Sequence, residues 1–170
     1  MNREKVYASR ALAGRIKRYS TWPMLHQQTV GEHCARVANL FVEIFGMPRP
    51  EVLYYCLNHD AGELWAGDLP FGVKQNVPGL KEAMRVAEAI GLKKLDIKMP
   101  DLTELECAQV KVCDLLEMFE CGIIEMNMGN KYAEPIKHDT MYAAQKIAND
   151  HCFSEKVNKW LIRNGGGQHD

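Results

Sequence analysis

The sequence lacks several features that would assign a function at once. Its formal net charge is −1 at pH 7, so no basic field favours nonspecific nucleic-acid binding. A charged ligand must then be met by a local cluster of residues. Six cysteines are present, yet no two form a CxxC pair, which argues against a zinc ribbon or a disulfide framework. Cys107, Cys113 and Cys121 fall among Val, Leu and Met on one predicted helix and read as buried reduced thiols. No run of about 18 apolar residues occurs, so no membrane segment is expected. The opening stretch MNREKVYASRALAGRIKR is charged and carries no apolar signal core, which predicts a cytoplasmic protein. Strand-like alternation of useful length, internal repeats and linkers are missing too.

What remains reads as helix. The 170 residues are 46% hydrophobic and 25% charged, the balance of an ordinary globular chain. Residues 4–18 predict an amphipathic helix with Val6, Leu12 and Ile16 among its apolar positions. Thr29-Val30-Gly31-Glu32 is a capping box, in which hydroxyl and carboxylate satisfy each other's orphan amides. It opens a helix to about Phe45, closed by Gly46 and Pro48. A third helix is expected from Pro50 to about Leu64, with proline where its missing donor is harmless. Gly67, Pro70, Gly72 and Pro78 make residues 66–78 a loop. Helix follows over 79–90. A second capping box, Thr103 to Glu106, opens a long helix to about Met128, stopped by Gly129-Asn130. Two more helices cover 139–151 and 154–164. The expectation is one all-α domain over 1–164 with a flexible tail at 165–170.

Against that apolar background a few ionisable residues stand out. The stretch LNHDAGELWAGDLP, residues 57–70, carries His59, Asp60, Glu63 and Asp68 among Leu, Trp, Ala and Gly. His33, at the fourth position after the Thr29 cap, shares a face with Val37 and Leu40 and should point inward. VKVCDLLEMF places Asp114 inside an otherwise apolar helix. Each has an ordinary alternative: a hydrogen-bonded core histidine, a helix-end acid, a turn aspartate. Yet a lone buried carboxylate costs several kcal/mol unless paired or metal-bound. Three helices that each bring an inward imidazole or carboxylate form the set a divalent cation would neutralise. Mixed nitrogen and oxygen donors suit zinc, manganese, cobalt or iron better than an all-oxygen calcium cage. Glu63, four residues after His59, would share its face if the helix continued, placed to orient or deprotonate a metal-bound water. Asp68 reads as a second acid at the site or as a turn residue.

The order H (33), HD (59–60), D (114) resembles that of the HD-domain metal-dependent phosphohydrolases, and an extension, HDxxExxxGDLPxxVK from His59 to Lys74, is more specific. It is similar to bacterial 5′-deoxynucleotidases and to the compact phage dATP triphosphohydrolases of genomes that replace adenine by 2-aminoadenine. The resemblance implies a compact HD-domain helical bundle. It further implies metal ligation by His33, His59, Asp60 and Asp114, water activation by Glu63, and a second acid, Asp68, near the scissile ester. It gives Arg18, Lys74 and Lys111 phosphate-binding roles, although a helix-end or surface role is as ordinary for each. The family usually has Trp after that arginine; this chain has Tyr19, with Trp22 three residues on. Tyr19, Thr21 and Trp22 are the candidates for the nucleoside pocket, since either ring can stack on a base.

The implied reaction is hydrolysis of dATP, and of dADP and dAMP, at the α-phosphate to deoxyadenosine and (tri)phosphate. In a phage, inside the host cytoplasm, this would deplete dATP so that the polymerase takes 2-aminoadenine. The alternatives are a 5′-deoxynucleotidase limited to monophosphates and, in another class, a non-catalytic HD-type interaction module. Zn2+ is expected first, with Co2+, Mn2+ or Mg2+ as alternatives. The resemblance also implies a homo-oligomer, hexamer or dimer, while charge and hydropathy predict no nucleic-acid or membrane partner.

Overall fold

The structure, a computed structural model, describes residues 9–67 and 76–165. Helices α1 (Arg10–Ala13), α2 (Val30–Phe45), α3 (Pro50–Asn58) and α4 (Glu63–Ala66) form the first half. They are followed by α5 (Leu80–Lys94), α6 (Glu104–Asn127), a 3-10 turn at Lys131–Ala133, α7 (Glu134–Asp150) and α8 (Ser154–Arg163). Among the described residues there is no strand, only an isolated bridge between Lys17 and Thr29. No described helix is long and apolar enough to cross a membrane.

Both capping boxes form. Glu32 N–H donates to Thr29 Oγ1 at 3.3 Å while Thr29 N–H donates to Glu32 Oε2 at 2.7 Å, and Thr103 with Glu106 repeats the pattern. These fix the first turns of α2 and α6, the two helices that carry His33 and Asp114. α6 runs through the middle of the bundle, with α7 along one side and α2 along another. Its Val112, Leu116 and Phe119 are fully buried against Val37 and Leu40 of α2, Val52 and Cys56 of α3, Ala144 and Ala148 of α7, and Val157 of α8. Gly122 lets α7 approach: a Cβ there would fall 2.9 Å from the Lys137 backbone nitrogen. A smaller cluster of Ala13, Ala61, Leu95 and Ile97 joins α1, the turn after α3 and the end of α5.

Four expected elements differ. The helix predicted over 4–18 is helical only at Arg10–Ala13 among its described residues. From Gly14 onward the backbone turns to pair with the entrance of α2: Gly31 N–H donates to Gly14 O at 3.0 Å, Val30 to Ile16 O at 2.8 Å and Arg18 to Gln28 O at 2.9 Å. Long-range pairing has overridden local helix preference. The helix expected from Pro50 to Leu64 ends at Asn58 and resumes at Glu63, with His59–Gly62 in turns. The helix expected over 139–151 starts earlier, at Glu134, with proline in its first turn. α5 likewise extends past residue 90, to Lys94. All six cysteines are free thiols, and Cys107, expected buried, is exposed.

Candidate active site

His33 lies in the first turns of α2 and is fully buried where α2, the His59–Gly62 turn and α6 meet. Its Nε2 stands 3.3 Å from His59 Nε2, 3.4 Å from Asp60 Oδ2 and 3.2 Å from Asp114 Oδ1. His59 Nε2 is 3.6 Å from Asp60 Oδ1. The four residues expected to share one centre are therefore brought together from three parts of the fold. Ligand atoms of His33, His59 and Asp60 all lie within 4.8 Å of one another, an arrangement able to hold a metal ion, and Asp114 joins through His33.

The outer ring nitrogens explain which way these imidazoles face. His33 Nδ1 is 2.5 Å from Glu117 Oε2, and His59 Nδ1 is 2.8 Å from the Cys56 carbonyl oxygen. Carboxylate and carbonyl only accept, so both Nδ1 atoms donate and both Nε2 atoms turn to the shared centre. Two Nε2 atoms 3.3 Å apart then face either a shared proton or a shared cation. Bonds of about 2.1 Å at tetrahedral or octahedral angles separate ligand atoms by about 3.0–3.4 Å, close to the spacing found. Donor type, tautomer and spacing all fit a divalent metal.

The acids around the two imidazoles favour positive charge at this centre, whether a proton or a metal ion supplies it. Burial alone would pull His33 down, but Asp114 and Glu117 outweigh it and hold the imidazole up to about 9. His59 is likewise held up to about 9, burial being outweighed by Asp60 and Cys34. Burial would raise Asp114, but His33 and Lys111 keep it well below the usual carboxylate range. Lys111 Nζ donates to the outer oxygen of Asp114 at 2.5 Å while 53% of its side chain stays exposed, so its ammonium sits at the rim of the cluster.

Glu63 opens α4, with its N–H donating to Asp60 O at 3.0 Å. It is 5% exposed, which overturns the solvent-facing reading. The His59–Gly62 turn separates it from α3, so it does not share a continuous helix face with His59. Arg18 is also buried, and its Nη1 donates to Glu117 Oε2 at 3.3 Å and to Gln28 Oε1 at 3.4 Å. Arg18 lies in a bend five residues beyond the end of α1 at Ala13, so the helix-end dipole reading does not hold. Its guanidinium lies within the field of Asp60 and Asp114. Tyr19 follows in the left-handed region at φ 56°, its ring 5.4 Å from the Arg18 guanidinium carbon. Thr21 is exposed, and Trp22 donates its indole N–H to Tyr132 O at 3.1 Å. Asp68 and Lys74 lie outside the described residues.

Two buried residues at this site escape a reading of the sequence. Glu117 touches His33, Arg18 and Gln28 together, and Gln28 donates to its Oε1 at 2.5 Å. The available signal was the i, i+3 spacing from Asp114, which stacks two acids on one face of an apolar helix. Gln28, hidden beside the Thr29 cap, offered none.

An all-α bundle with two imidazoles and two carboxylates converging across α2, the turn after α3 and α6 is the HD-domain phosphohydrolase architecture. The crystal structure of an HD-domain phosphohydrolase from Listeria innocua has a similar fold, with a TM-score of 0.66 at 19% identity over 96% of this chain and 87% of that one. The sequence model of the YfbR-like 5′-deoxynucleotidases matches residues 10–158, so the chain belongs to that family and is a nucleotide phosphohydrolase. A search of curated proteins finds no match.

Proposed function

We propose that the protein is a metal-dependent hydrolase that cuts a deoxynucleotide between the α-phosphorus and the 5′-oxygen, with dATP as substrate. The observation that carries this reading is the convergence of His33, His59, Asp60 and Asp114, with buried Arg18 close to the two acids. Those four would hold the cation, Zn2+ first, with Co2+, Mn2+ or Mg2+ as alternatives. When bound, a divalent ion supplies Lewis acidity, withdrawing charge from phosphoryl oxygen and acidifying water. Glu63 takes the proton from the attacking water, and the new P–O bond displaces the 5′-oxygen, which leaves protonated as the nucleoside hydroxyl. Asp68 is assigned the proton delivery to that oxygen. Arg18 can fork across two phosphoryl oxygens, and Lys111 adds a point charge.

Because the broken bond adjoins the sugar, whatever phosphate chain follows leaves intact: triphosphate from dATP, phosphate from dAMP. The exposed position of Lys111 supports the triphosphate, since a chain can run outward past its ammonium. In a phage the role would be removal of dATP in favour of 2-aminoadenine nucleotide, in the host cytoplasm, by a dimer or hexamer. The family match supports a second reading, hydrolysis limited to deoxynucleoside monophosphates. Incubating the metal-loaded protein with dATP, dADP and dAMP and separating products by chromatography decides. Inorganic triphosphate supports the first reading; turnover of dAMP alone leaves the second. Turnover of none would remove deoxyadenosine nucleotides as the substrate.

A further inference from the structure

Glu117 stands outside the four converging groups, yet it connects two of the parts that the reaction needs. Its Oε2 receives His33 Nδ1 at 2.5 Å and Arg18 Nη1 at 3.3 Å, and its Oε1 receives Gln28 Nε2 at 2.5 Å. Gln28 Oε1 also accepts from Arg18 at 3.4 Å, which closes a ring of Arg18, Gln28 and Glu117. All three are less than a tenth exposed, and His33 is fully buried. The backbone prepares this ring, since Arg18 N–H donates to Gln28 O at 2.9 Å and holds both side chains toward α6.

We propose that Glu117 is a positioning residue that sets, with one carboxylate, both the tautomer His33 presents to the cation and the seat of the Arg18 guanidinium that meets the phosphate. This inference rests on the metal-site reading above. Three donors converge on its two oxygens, so only a group that accepts at both ends satisfies them. In Glu117→Gln one end becomes a donor. Turned toward His33, it drives the imidazole proton from Nδ1 to Nε2, into the cation position. Turned toward Gln28, it flips that amide and takes away the acceptor Arg18 uses. The negative charge of Glu117 also offsets the guanidinium beside a site meant for a dication.

Co2+ is the probe for the first effect, by chelator competition read in its visible absorption, and inorganic phosphate binding to the Co2+-saturated protein for the second. Glu117→Gln is expected to weaken Co2+ binding about 10–100-fold and to weaken phosphate binding as well. Arg18→Gln should weaken phosphate binding alone, and the double variant should lose no more phosphate affinity than Arg18→Gln. Nitrogen NMR of the Zn2+-loaded wild type should show the His33 proton on Nδ1, a readout independent of whether any variant folds. Glu117→Gln with both affinities within twofold of wild type would overturn the proposal, as would phosphate losses that multiply in the double variant, or a His33 proton absent from Nδ1. A wild type that binds no Co2+ would instead remove the metal reading itself.

Discussion

Gly62 and Gly91 meet backbone to backbone: a Cβ on Gly91 would fall 2.5 Å from the Gly62 carbonyl oxygen, and one on Gly62 would collide with the Glu88 carbonyl. Gly62 lies in the turn between Asp60 and Glu63, so α5 is the surface against which that turn is pressed. Gly91→Ala should destabilise by about 1–3 kcal/mol through overpacking. Gly62→Ala should do the same and also weaken Co2+ binding, because the displaced backbone carries Asp60, a proposed ligand, two residues away. Urea unfolding measures the first effect and metal titration the second. Equal metal affinity in Gly62→Ala would show that α5 does not set the turn.

The same contact explains what could and could not be seen in the sequence. Capping boxes are local, four residues end to end, so Thr29 and Thr103 announce their helices. His33 and Asp114 stand out because an ionisable group on an apolar face needs a reason. The break after Asn58 is different: the turn that carries Gly62 is held by α5, far along the chain. Arg18 looks like a helix end until residues 14–18 find residues 28–31. Glu117 reads as one more acid on α6, because its partners His33 and Arg18 lie 84 and 99 positions away. Local chemistry is legible; pairing at a distance is not.

Glu106 predicts an acid limb in stability. Its carboxylate accepts from Arg49 Nε at 2.7 Å and from Thr103 N–H at 2.8 Å. Arg49 first, then the Thr103 amide, hold it down to about 2 from an ordinary 4.5. A group depressed in the folded state adds stability that is fully present above its unfolded value. That contribution is then lost as pH falls from 4.5 toward 2. Thermal unfolding should show this loss, reduced in Glu106→Gln and reduced by high salt, because the pair is exposed. An identical pH slope in the variant would assign the acid limb to other carboxylates.

Glu125 holds the turn after Trp22 in place. Its two oxygens accept from Leu25 N–H at 2.8 Å, His26 N–H at 2.7 Å and Asn130 Nδ2 at 2.6 Å, while the residue is fully buried. Glu125→Ala strands two backbone amides and leaves Asn130 Nδ2 only its bond to Pro23 O at 2.7 Å, and should cost about 3 kcal/mol. Proteolysis near residues 23–26 should rise in parallel. A stability change within about 0.5 kcal/mol, the range of an ordinary surface substitution, would mean that water takes the place of the carboxylate.

Glu63→Gln separates holding a metal from using it. The amide is nearly the same size, so the buried start of α4 and the Glu63 N–H to Asp60 O bond at 3.0 Å should survive. In the proposed mechanism, what disappears is the ability to take a proton from the attacking water, a contribution of about 100- to 10,000-fold in rate. Co2+ affinity should therefore stay within a few-fold of wild type while turnover of dATP or dAMP collapses. Loss of both together would place Glu63 among the ligands instead. Full turnover in the variant would hand proton abstraction to a different group, and the proposed division between the four converging residues and the acid one turn beyond them would fail.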